Sequence, residues 1–153
     1  MRRYSVLWWL RTAMITIACM LACAAKNPSC DSSGGSLSGW LNCRQLGQLW
    51  DSAGGDVGES SVMAAIAMAE GGGVAPNGKW RSSQYAYLAD PNGTDDEGYW
   101  GINSANEGTY YPTGADRYDP MVNAKAAVAI YNAVGLTAWA TYNNGHWHDF
   151  CGQ

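Results

Sequence analysis

Charge is scarce in this chain. Only 14% of its 153 residues are Asp, Glu, Lys or Arg, which excludes a charge-rich disordered chain. Basic residues number 9 against 13 acidic ones, and Arg2, Arg3 and Arg11 all fall in the first eleven positions. The remainder is acidic, so binding of nucleic acid through its phosphates is excluded. Histidine occurs twice, as His146 and His148, in a tail where both read as exposed polar residues. Cys30, Cys43 and Cys151 lie in a linker, the first helix and the extreme C-terminus, which disfavours a Cys/His peptidase. Asp90, Asn92, Asp95 and Asp96 invite a calcium reading, but the glycine and final glutamate of an EF-hand loop are out of place. Neither a metal nor a cofactor is therefore expected. No internal repeat is visible, and the length suits one domain. What is plentiful is Gly (19), Trp (8) and Tyr (9). Such rings on a weakly charged acidic surface suit a neutral ligand such as sugar, with core packing as the alternative use.

The N-terminus reads as an export signal. Met1 to Arg11 carry the positive charge, Thr12 to Leu21 are apolar, and Ala22-Cys23-Ala24 offers a cleavage site. The run between Arg11 and Lys26 is shorter than the roughly 20 residues that span a bilayer, unless the segment starts near Tyr4 and Arg11 snorkels. Residues 1–24 are accordingly a signal peptide, with an N-terminal membrane anchor or lipidation at Cys23 as alternatives. Residues 25–39, rich in Ser, Gly and Asn, form a flexible linker, and residues 40–153 form the domain. In an oxidising compartment a disulfide is expected. Cys43 with Cys151 ties the domain's ends together and is preferred, while Cys30 with Cys43 would fasten the linker instead.

Helical signals dominate the domain. Asn42 is an N-cap with Gln45 three residues on, and Gly54-Gly55 ends a helix over 42–53. From Ser60 or Ser61 to Glu70 the chain is apolar on all sides, which predicts a buried central helix stopped by Gly71-Gly72-Gly73. Residues 74–118 sustain no helical period, and short strands are expected near Gln84 to Leu88 and Gly98 to Asn103. Asp119-Pro120 opens a helix that runs to Gly135. Thr137 is expected to cap a short last helix through Tyr142. The fold class is α+β, mainly helical, with a small β element between the central helix and the C-terminal helices.

Glu70 is the strongest chemical feature. It shares a helix face with Met63 and Ile66, so its carboxyl is half buried, and it sits at the negative end of the helix dipole. Both effects favour the protonated acid. A carboxylic acid of raised pKa beside a groove is what glycosidic-bond cleavage needs to protonate the leaving oxygen.

Leu46 to Trp50, Ala53-Gly54-Gly55 and Met63 through Gly72 resemble the opening of lysozyme-like lytic transglycosylase domains, in the goose-type lysozyme and soluble lytic transglycosylase superfamily. Gly98-Tyr99-Trp100-Gly101-Ile102-Asn103 is similar to the family's second block, Asp119 through Ala127 to the helix that follows, and Tyr142-Asn143-Asn144-Gly145 to its tyrosine-asparagine-alanine-glycine block. The resemblance implies a lysozyme-like domain that cuts the β-1,4 bond between N-acetylmuramic acid and N-acetylglucosamine in peptidoglycan glycan strands of the cell envelope, and a monomer is expected. Glu70 would be its acid/base. Tyr99, Trp100, Ile102, Asn103, Tyr142 and Asn143 match positions expected to contact substrate. Two positions depart from the family pattern: Gly71 stands where serine is usual, and Gly101 where glutamine is usual. They keep open a non-catalytic wall-binding or assembly protein of the same fold, and a hydrolytic lysozyme is a further alternative. Asp95, Asp96 and Glu97 are candidates for a second carboxylate, although a solvated acidic turn is the plainer reading.

Overall fold

The computed structural model describes residues 38–153. The expected signal or anchor, most of the linker and Cys30 lie outside them. The domain is α+β and mainly helical, as the sequence predicts. After a two-residue strand β1 (Trp40–Leu41), helix α1 runs over Cys43–Ser52. Asn42 and Gln45 close a reciprocal capping box, each side chain accepting from the other's backbone N–H at 3.0 Å. Helix α2 spans Ser60–Glu70, and every residue from Met63 to Met68 is buried, which follows from an apolar surface on all sides. Gly55 is required where the chain leaves α1, because a Cβ there would stand 2.1 Å from the Trp50 indole.

The β element differs from expectation in its boundaries. One sheet has the order β1-β3-β2 and joins β2 (Gly72–Val74) and β3 (Trp80–Ser83) to β1; a second has the order β4-β5-β6, from Tyr87–Ala89, Asp95–Glu97 and Ile102–Asn103. All pairings are antiparallel. The expected strand over Gln84–Leu88 is a turn followed by β4. The expected strand over Gly98–Asn103 is broken because Gly98 and Gly101 adopt φ of +78° and +55°, a left-handed backbone that a ladder does not accommodate. One strand, β1, lies before the helices.

Helix α3 covers Pro120–Val134, with the Asp119 carboxylate accepting from the N–H groups of Met121 and Val122 at 2.9 Å and Gly135 at φ +80° ending it. Thr137 does not cap the last helix. A 3₁₀ turn takes up Leu136–Ala138, and α4 (Ala140–Asn143) starts after Trp139, so the Thr137 hydroxyl donates back to the Val134 carbonyl and its own carbonyl accepts from Asn143. A final 3₁₀ turn at His146–Asp149 leads to Cys151, which is bonded to Cys43 across 108 residues. This is the preferred pairing of the sequence analysis.

The core is built on indoles. Trp50, Trp100 and Trp139 are buried, and each side-chain N–H finds a carbonyl: Asp56 at 2.9 Å, Met63 at 2.9 Å and Trp100 at 3.0 Å. The Trp100 backbone N–H donates to Asn123 of α3 at 3.1 Å. The turn at 98–101 is thereby fastened to α2, to α3 and to the segment before α4. Among the described residues no helix is long and apolar enough to cross a membrane.

Candidate active site

Glu70 is the last residue of α2 and is partly buried. Gly71 has no room for a side chain: a Cβ would lie 2.6 Å from the Ser82 hydroxyl and 2.9 Å from the Tyr99 carbonyl. That packing accounts for glycine where the resemblance leads one to expect serine. At Gly101 the left-handed backbone favours glycine, and a Cβ would stand 3.5 Å from Glu70 Oε2 and 3.8 Å from Asp96 Cβ. Gly101 thus lies beside both Glu70 and Asp96.

Two clefts meet there. The first, about 550 Å³, is walled by Trp40, Tyr85, Tyr87 and Leu88 and reaches Glu70, Asp96 and Gly101. The second, about 420 Å³, also reaches Glu70, Asp96 and Gly101 and continues along Asn103, Asn106, Tyr110 and Trp139. Sharing these three residues, they form one groove that reaches Glu70. Among the described residues, no Lys, Arg or His lines either cleft. Tyr85, Tyr87 and Leu88 are more than half exposed, an aromatic and apolar wall suited to the faces of sugar rings.

Glu70 Oε1 accepts from the Thr141 hydroxyl at 2.6 Å and from the Thr141 backbone N–H at 3.5 Å. Oε2 is the oxygen toward Gly101 and the groove. Burial pushes the Glu70 pKa above the ordinary carboxylate value; the Thr141 bonds lower it in part, the charge of Asp96 raises it and that of His146 lowers it. The net direction is upward.

Strand alternation sorts the acidic run. Asp95 and Glu97 pair with the Arg117 guanidinium at 3.1 and 3.2 Å, and Arg117 also donates to the carbonyls of Asp95 and Ile102. Asp96, between them, points the other way, in a row across the sheet with Leu88 and Asn103. Asn103 donates to Asp96 and Asp90 at 2.8 Å, and burial raises the Asp96 pKa. The run is thus a strand with two paired acids and one facing the groove, where a solvated turn was the plainer expectation.

The residues expected at a ligand are divided by the fold. Ile102 and Asn103 border the second cleft. Tyr99 and Trp100 line neither cleft: both are core residues, 1% and 0% exposed, the Tyr99 hydroxyl donating to the Gly39 carbonyl at 3.5 Å and the Trp100 indole packing on Trp50. Burial pushes the Tyr99 hydroxyl up to about 12. Tyr142 stacks on Trp147, and Asn143 donates to the Thr137 carbonyl at 2.9 Å; neither lines a cleft. Thr141, one residue before Tyr142, is the side chain from α4 that reaches Glu70. Sequence reasoning missed it, since nothing local to Thr141 marks a partner 71 positions away.

A family model described as a lysozyme-like domain matches residues 48–141, from within α1 to Thr141. The chain belongs to this family, whose chemistry is glycosidic-bond cleavage directed at peptidoglycan. Searches of curated proteins and of solved structures return no significant match.

Proposed function

We propose that the chain is an exported peptidoglycan lytic transglycosylase with Glu70 as its acid/base. The observation that carries this reading is a carboxylic acid of raised pKa at the junction of two clefts, with one oxygen bonded and the other toward the groove. A glycan strand lying along the groove would present its β-1,4 bond to Oε2. Glu70 gives its proton to the leaving oxygen as the C1–O bond of the muramyl residue breaks, and becomes a carboxylate. The carboxylate then takes the proton of the muramyl 6-hydroxyl while that oxygen bonds to C1. The product is a 1,6-anhydro end, Glu70 is protonated again, and no water is consumed. Export is supported by the charged and apolar N-terminus and by the Cys43–Cys151 disulfide.

Asp96 favours a second reading. Asp96 lines both clefts with Glu70, and a carboxylate there that activated water would make the enzyme a hydrolase with reducing-end products. The full chain and its Glu70→Gln and Asp96→Asn variants, incubated with purified peptidoglycan, separate the readings by mass spectrometry of the products. Anhydro-muramyl ends that survive Asp96→Asn and vanish in Glu70→Gln support the transglycosylase. Reducing ends lost in both variants support the hydrolase. A folded wild type that pellets with the wall and cleaves nothing leaves a binding protein.

A further inference from the structure

We infer that Thr141 is the positioning residue of the acid, its hydroxyl holding Glu70 Oε1 so that the transferable proton resides on Oε2 at the groove. The inference rests on the acid/base reading of Glu70. A backbone N–H can only donate, so the Thr141 amide at 3.5 Å marks Oε1 as an acceptor, and the hydroxyl at 2.6 Å approaches the same oxygen. A neutral carboxyl has one proton for two oxygens. With Oε1 accepting twice, the proton belongs on Oε2, the oxygen nearest Gly101, where both clefts meet.

The same hydroxyl acts after the proton has left. A hydrogen bond to an ionised oxygen is stronger than one to a neutral carbonyl, so Thr141 stabilises the carboxylate that forms in the transition state. Burial alone makes Glu70 a reluctant acid. The Thr141 bond keeps it a usable one, and as a hydrogen bond on Oε1 it does so without occupying the groove. The charged groups that also act on Glu70 are Asp96, from β5, which opposes ionisation, and His146, from the C-terminal 3₁₀ turn, which favours it. Serine, usual at position 71, has no space here, and the hydroxyl that reaches the acid comes from α4 instead.

Thr141→Val keeps the branched shape and removes the donor, Thr141→Ser restores the donor, and Thr141→Ala controls for any packing effect of valine. Each is made in the full chain with its disulfide formed. Carbon-13 NMR titration of the Glu70 carboxyl reads its acidity independently of catalysis, and kcat and KM on soluble glycan strands are measured against pH. Activity is lost as pH rises through the Glu70 pKa, because a carboxylate cannot protonate the leaving oxygen. Removal of the donor moves both that limb and the NMR titration to higher pH and lowers kcat by roughly tenfold to a hundredfold with KM unchanged, and serine restores all three. An unmoved titration in folded Thr141→Val and Thr141→Ala overturns the inference alone, as does a loss confined to KM. Cleavage that survives Glu70→Gln overturns the acid/base reading itself.

Discussion

At the scale of single residues, Glu70 combines a functional role with a cost to stability. Its pKa is raised in the fold, so the native state holds its proton more tightly than the unfolded chain does. Stability from this group is present at low pH and falls as pH rises from the unfolded value through the folded one. At neutral pH the buried carboxylate is therefore destabilising, and Glu70→Gln, whose amide oxygen can still accept from Thr141, is expected to raise the melting temperature at pH 7 while abolishing cleavage. Calorimetry at pH 4 and pH 7 checks the sign: the difference between variant and wild type grows with pH. Gly71→Ser is expected to act oppositely, destabilising by about 1–3 kcal/mol in urea unfolding because its Cβ collides with Ser82 and the Tyr99 carbonyl. Glu70 was legible in the sequence because its burial and dipole arguments are local to one helix. Thr141 and the inward turn of Tyr99 and Trp100 were not, since both depend on contacts between segments far apart in the chain.

At the scale of elements, the helices were legible and the strands were not, for a physical reason. Asn42, Asp119 and Gly135 bond or bend the chain within four residues of themselves, so sequence alone reveals them. Strands of two to four residues show too little alternation to be phased. The sheet register and the pairing with Arg117 reveal that Asp95 and Glu97 share one face of β5 and that Asp96 takes the other. Arg117→Met is expected to destabilise by about 3 kcal/mol, because it leaves two carboxylates unpaired in a partly buried site. The Ser104 hydrogen bond and the Arg117 contacts hold Asp95 below the usual carboxylate range. Its contribution is accordingly present above the unfolded carboxylate value and lost as pH falls, so wild type and variant converge in acid. Urea midpoints from pH 7 to pH 3 measure that convergence. Asp96 and Asn103 ride on the same hairpin, and a loss of cleavage greater than the loss of fold in Arg117→Met would reflect their displacement from the groove.

At the scale of the whole molecule, the Cys43–Cys151 bond closes nearly all of the domain into one loop. In the chain-entropy treatment a loop of that length stabilises by about 4–5 kcal/mol, so Cys151→Ser is expected to lower the urea midpoint strongly, and reductant to do the same to wild type while leaving the variant unchanged. The bond also anchors the 3₁₀ turn that carries His146, one of the charges acting on Glu70. The groove is walled by Tyr85, Tyr87, Trp40, Tyr110 and Trp139 and, among the described residues, has no cationic side chain, an architecture matched to a weakly charged polymer. The most direct test of the central claim is mass spectrometry of the glycan fragments released from purified peptidoglycan by the full chain and by its Glu70→Gln variant. Wild type is expected to release 1,6-anhydro-muramyl ends and a folded Glu70→Gln none. Equal release by both proteins, or none by a folded wild type, would contradict that claim.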